Sequence, residues 1–199
     1  AYPALLAVVF FFAAMLLYSQ AATAKAITPA IVAALGITAA NPGDSGMLVN
    51  SIDAFRDYLQ NKAWVFEHQA LTRARFCAGD AELGARFEAI RVEILRQPRD
   101  LLKLREDVLV MRQRMLDSHA LNSEEYFDIK QDPGGLIDVE FIVQYLILGY
   151  AHQHERLCGN LGNIALLGIA AELALIPPEL ADPVRATYRE FRRQQQDAS

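Results

Sequence analysis

The sequence predicts an all-α domain from about residue 52 onward, preceded by an apolar segment of different character. Three observations carry this. Leu101, Leu104, Val108, Met111 and Met115 recur at three- and four-residue steps, the period of a helix with one buried stripe. Ser51-Ile52-Asp53 supplies a helix cap soon after the dense turn signal Asn41-Pro42-Gly43-Asp44-Ser45-Gly46. Pro177-Pro178 divides the last apolar stretch into two helices, because proline cannot continue one.

Taken in order, Met47-Leu48-Val49 reads as a short strand leaving the first turn. Helices are then expected at about 52–60, 62–76, 81–96, 98–118, 135–154, 160–174 and 178–196. Arg105, Asp107, Arg112 and Arg114 are available for the polar faces of the 98–118 helix.

The N-terminal segment is of another kind. Residues 1–18, AYPALLAVVFFFAAMLLY, are uninterrupted apolar or aromatic, and Lys25 is the only charge in the first forty residues. A spanning helix needs about 20 apolar residues, so the run is borderline in length. A signal peptide is the competing reading, with Ala-Thr-Ala as the cleavage site, but no Lys or Arg precedes the apolar run. A shifted reading frame is the third.

The net charge of −5 lacks the basic footprint of a general nucleic-acid binder, although local basic clusters suit phosphates. Cys77 and Cys158 lie outside any C-x-x-C spacing and read as free thiols in a reducing cytosol. His152 and His154, two apart, diverge on a helix, and with His68 and His119 they form no zinc pattern; no metal site is expected. Gly-x-Ser-x-Gly, P-loop and Gly-x-Gly-x-x-Gly motifs are all lacking.

Two stretches carry chemistry. The first is residues 63–75, AWVFEHQALTRAR. On one continuous helix Trp64, His68, Thr72 and Arg75 share a face, while Glu67 falls among Ala63, Leu71 and Ala74. A carboxylate there is costly unless paired. The plain alternative is an amphipathic helix with Trp64 in the core and its charges solvated. The second stretch is residues 127–145, FDIKQDPGGLIDVEFIVQY: a short extended piece, a Gly134-Gly135 turn and a helix. Glycines permit close backbone approach, free N–H groups at a helix start suit a phosphate, and Lys130 adds a point charge to the same anion. Asp138 is favoured by the helix dipole, and Glu140 and Gln144, four apart, share a face. Asp138 and Glu140, two apart, diverge and make no acid–base pair. Here the plain alternative is a glycine turn and a well-capped core helix.

Together and in this order, SGMLVNSIDAFRDYLQNKAWVFEHQALTRARFCAGD and FDIKQDPGGLIDVEFIVQYLIL resemble the glutamine-synthetase adenylyltransferases, over roughly residues 43 to 195. The arginine-rich helices of residues 86–118 also fit, and Trp64-x-x-Glu67-His68-Gln69-Ala70-Leu71 is closer to the C-terminal, adenylyl-transferring half of that bifunctional enzyme. The resemblance implies a nucleotidyltransferase that moves AMP from ATP to a tyrosine hydroxyl of glutamine synthetase, with Mg²⁺. It also implies a small α/β core joined to a helical domain. The segments then read as 1–41, an apolar Ala-rich stretch; 42–52, a remnant of the core edge; and 53–199, the helical domain.

In the family the core's metal ligands lie in Gly-Ser-x-x-Asp-x-Asp and Asp-x-Arg-Leu-Arg-Pro motifs, the second just before the Gly-x-Ser-Gly that stands here as Gly43-Asp44-Ser45-Gly46. Ile37-Thr38-Ala39-Ala40-Asn41-Pro42 takes its place, and no Asp or Glu precedes Asp44. No catalytic residue or metal ligand is therefore expected in this chain, which alone should be inactive. A frame change near residue 42 accounts for such a seam and is favoured over a membrane anchor. By resemblance, Lys130, Arg73, Arg75, Gly134 and Gly135 position nucleotide phosphates, supported by Glu67, Asp138, Glu140 and Gln144. Glutamine synthetase and a small nitrogen-signalling protein are the implied partners, in the cytoplasm. The rival from another class is a non-catalytic, membrane-tethered helical binding module anchored by residues 1–20.

Overall fold

The computed structural model describes residues 51–76, 78–119 and 127–197, so the expected strand at Met47-Leu48-Val49 and the apolar segment lie outside it. Among the described residues seven α-helices follow one another: α1 (Ile52–Asn61), α2 (Val65–Leu71), α3 (Ala81–Leu95), α4 (Leu101–His119), α5 (Leu136–Tyr150), α6 (Asn163–Glu172) and α7 (Pro178–Asp197). A 3-10 turn, Glu155–Cys158, separates α5 from α6. No strand occurs among the described residues, and none of their helices is long and apolar enough to cross a membrane. The all-α reading holds.

The described residues divide into two units, one of residues 51–67 and 74–94, the other of 68–73 and 95–197. In the first unit α1 begins where Ser51 Oγ accepts the Ala54 N–H at 3.1 Å, the expected cap. Its buried residues Ile52, Phe55 and Leu59 follow a three- and four-residue step. Phe55 stacks on Phe87 of α3 with ring centroids 6.0 Å apart. Arg56–Glu93 and Arg86–Asp53 ion pairs join the solvent faces of the same two helices.

In the second unit α5 packs against α4, α6, α7 and the 3-10 turn. Val139, Val143, Leu146, Ile147 and Leu148 of α5 are buried, as are Leu104 and Val108 of α4 and Leu166, Leu167 and Ala170 of α6. Each of these valine, leucine and isoleucine side chains contributes about 1.5–3 kcal/mol by leaving water. Gly149 keeps the α4–α5 contact close, since an added Cβ would stand 2.9 Å from Leu101 Cδ2.

Three expectations are corrected. The helix expected at 62–76 is only α2, because the Thr72 hydroxyl donates to the Gln69 carbonyl (2.7 Å) and the Arg73 N–H reaches back three residues to Ala70 (3.1 Å). Trp64, placed in the core by the plain amphipathic reading, stands outside that helix and is 61% exposed. Arg112, assigned to a polar face, is 8% exposed: it follows Val108 by four residues and so lies on the buried stripe.

The end of α6 generates a prediction. Leu175 N–H donates to Ala170 O (2.9 Å) and Ala174 N–H to Ala171 O (3.0 Å), a Schellman closure that puts Ala174 at φ 55°. Alanine is strained there and glycine is not. Ala174→Gly is expected to stabilise the chain by about 1 kcal/mol in a urea titration; a loss of stability would contradict this account.

Candidate functional site

The turn before α5 closes on itself. Asp128 Oδ1 accepts the N–H groups of Lys130 (2.8 Å) and Gln131 (3.2 Å), and Asp132 Oδ2 accepts that of Asp128 (2.7 Å). These bonds curl residues 128–132 into turns where an extended piece was expected. Asp132 N–H donates to Asp128 O, Gly135 N–H to Asp132 O, Leu136 N–H to Ile129 O and Ile137 N–H to Lys130 O. Gly134 N–H donates to Asp138 Oδ2 at 2.5 Å.

The amides of Gly134, Gly135, Leu136 and Ile137 are thus engaged with the protein's own acceptors, and Lys130 is an exposed cation on the turn. Among the described residues neither a hydrogen bond nor an ion pair occupies the Lys130 ammonium. The glycines serve the turn. Gly134 takes φ +88°, a left-handed conformation, and an added Cβ on Gly135 would meet Ile129 O at 2.8 Å and Asp132 O at 2.9 Å.

Asp138 also pairs with Arg112, whose Nη2 donates to the Gln131 carbonyl at 2.7 Å. Two turns of α5 then carry a matched pair of contacts. Gln69 Nε2 donates to Gln144 Oε1 at 2.9 Å, a buried bond, and Arg73 Nη1 meets Glu140 Oε2 at 2.7 Å. Glu140 and Gln144, four apart, share a face of α5, and Gln69 on α2 and Arg73 in the turn just beyond it lie against them. Tyr188 of α7 donates to Glu140 Oε1 (3.3 Å) and accepts from Asn163 Nδ2 (2.8 Å). Burial first, then the Glu140 charge, hold the Tyr188 phenol above its ordinary pKa.

The remaining residues expected at a site lie elsewhere. Arg75 is exposed and belongs to the first unit, with Glu67. The Glu67 carboxylate accepts from the Trp64 N–H (2.7 Å) and the Tyr58 hydroxyl (2.8 Å), while Glu67 N–H donates to Trp64 O. This caps α2 in the manner of a capping box. Arg112, Gln69, Tyr188 and Asn163 had no expected role. The four-residue spacings from Val108 to Arg112 and from Gln69 to Arg73 were the signals available.

Magnesium finds no ligand set here. No three His, Cys, Asp or Glu side chains among the described residues converge as a metal would need, and Glu67, Asp138 and Glu140 each answer a donor of the protein.

Burial holds the Glu67 carboxyl above the ordinary carboxylate range, opposed by the bonds from Trp64 and Tyr58. The folded chain therefore keeps this proton to higher pH than the unfolded chain. Stability from this group is complete below the unfolded pKa and is lost as pH rises through the folded one. Glu67→Gln removes that loss, and its amide can still accept from Trp64. Its stability relative to the parent chain should rise as pH climbs above the unfolded glutamate pKa, about 4.3, in urea titrations; a pH-independent difference would refute the assignment.

Comparisons with known proteins bear on these two stretches. A family model described as glutamate-ammonia ligase adenylyltransferase matches residues 41–90, beginning where the composition changes. A model for an anaerobic C4-dicarboxylate membrane transporter matches residues 1–59. Its described part, residues 51–59, lies in the capped amphipathic helix α1, which carries Asp53, Arg56 and Asp57. The chain is 61% identical over 153 residues to the bifunctional glutamine synthetase adenylyltransferase/adenylyl-removing enzyme of Aromatoleum aromaticum, covering 77% of this chain and 16% of that protein. The corresponding protein of Nitrosomonas europaea is 58% identical over 153 residues, with the same coverage. That of Chromobacterium violaceum is 58% identical over 156 residues, covering 78% of this chain and 17% of its own. The chain thus spans only 16% or 17% of the length of these relatives. Identity at this level, across a segment long enough to hold both stretches, means that the chain belongs to the glutamine synthetase adenylyltransferase family.

Proposed function

We propose that this chain is the helical segment of an adenylyl-transferring half-enzyme, the C-terminal half of the bifunctional protein, and that it positions nucleotide for AMP transfer from ATP to a tyrosine of glutamine synthetase. The observation that carries the reading is the Lys130 ammonium, set on a self-satisfied turn with no partner among the described residues. Holding the backbone beneath this cation spares the backbone part of the entropy lost on meeting a phosphate, although the four-carbon side chain still has to order. Arg73 is a weaker contributor, because its guanidinium already meets Glu140. Gly134 and Gly135 act by shaping the turn, and Asp138, Glu140, Gln144 and Glu67 by holding elements together.

Nucleotidyl transfer needs carboxylates that hold Mg²⁺, and this chain's own candidates are engaged elsewhere. The cations and the reacting groups therefore belong to a nucleotidyltransferase core outside the described residues. The intact enzyme then works in the cytoplasm on glutamine synthetase, under a small nitrogen-signalling protein.

Two outcomes follow. The chain alone, mixed with glutamine synthetase, Mg²⁺ and labelled ATP, transfers no label; labelled glutamine synthetase would overturn the division of labour. In an intact family enzyme, Ala at the position matching Lys130 raises the KM for ATP about tenfold, the size of one charge-assisted contact. An unchanged KM removes Lys130 from nucleotide binding.

A further inference from the structure

The turn that presents Lys130 is satisfied almost wholly by its own groups, so what fixes it to the rest of the unit matters. Arg112 of α4 reaches the turn at the Gln131 carbonyl and at the Asp138 carboxylate of α5 that caps Gly134 N–H. It pairs through Nε with Asp138 Oδ1 and donates through Nη2 to Gln131 O at 2.7 Å. At 8% exposure its charge is costly unless both donors are used. A planar guanidinium spans two acceptors at fixed spacing, which a lysine ammonium cannot do.

Resting on the reading that Lys130 meets the nucleotide phosphates, we infer that Arg112 is a positioning residue. It holds the turn of residues 128–135, and with it the Lys130 ammonium, in the geometry that receives an anionic phosphate. Arg112 itself does not touch the anion; its guanidinium is spent on the turn. Its contribution is the backbone entropy that the turn beneath Lys130 would otherwise lose on binding.

The test has a structural arm and a kinetic arm. In the full chain, Arg112→Met accelerates hydrogen exchange at the Gly134, Gly135 and Leu136 amides by about tenfold or more, while Val143 and Leu146 in buried α5 keep their protection. In an intact family enzyme substituted at the matching positions, R112M raises the KM for ATP about tenfold and leaves kcat within about twofold. R112K falls between, and R112M added to K130A raises KM no further.

Unchanged exchange in the turn overturns the inference, as does a KM that responds to K130A but not to R112M. So does an R112M effect that adds in full to that of K130A. If K130A alone leaves the KM unchanged, nucleotide binding by Lys130 falls and takes the phosphate part of the inference with it, while the exchange arm still decides whether Arg112 fixes the turn. Should R112M not fold, R112K carries both comparisons.

Discussion

Asp138, Glu140 and Gln144 stand on a helix whose remaining residues are mostly apolar and buried, and the second unit depends on each being answered from elsewhere. Arg112 answers Asp138, Arg73 and Tyr188 answer Glu140, and Gln69 answers Gln144. A buried amide left unanswered costs about 1–3 kcal/mol, so these contacts select one placement of α4, α7 and residues 68–73 around α5. They differ in worth. Arg73–Glu140, with side chains 48% and 19% exposed, is partly screened by water and contributes about 1 kcal/mol at most. Arg112–Asp138 is the more deeply buried, and removing one partner strands the other, at a cost of about 3 kcal/mol.

The same polar accounting explains the turn ahead of α5. A helix start leaves four N–H groups without intrahelical partners. Here the carbonyls of Asp132, Ile129 and Lys130 take three of these, the amides of Gly135, Leu136 and Ile137, and the Asp138 carboxylate takes that of Gly134 just before the helix. Gly134 is required by its positive φ and Gly135 by the approach of Ile129 O and Asp132 O. Glycine in such a turn usually suggests a phosphate cradle. In this chain the amides of Gly134, Gly135, Leu136 and Ile137 are taken by the protein's own acceptors.

Helices were legible wherever local rules decide them. The 3–4 spacing located α4, the Ser51 cap began α1, and Pro178 stands at the first position of α7, where its missing N–H costs nothing. What stayed illegible depended on competition. Thr72 reads as a tolerable helix residue, yet its hydroxyl takes the Gln69 carbonyl and α2 ends. Arg112 reads as a surface cation by type, but its position four residues after Val108 places it on the buried stripe, where the Asp138 charge makes it tenable. Type and position disagreed, and position prevailed. Of the residues expected at a site, Glu67 was recognisable as a carboxylate in need of a partner, but Tyr58 as that partner was not, since nothing local joins them.

The placement of the carboxylates constrains the division of labour. A metal-dependent transfer needs side chains whose charge is turned toward a cation, and such groups are costly to hold in a folded chain without it. Glu67, Asp138 and Glu140 instead answer hydroxyl, backbone or guanidinium donors. Drawing any of them to a metal would strand those donors, and for Asp138 it would also release the turn that carries Lys130. The carboxylates thus serve to fix a scaffold, and the turn that Asp138 helps to close leaves Lys130 exposed.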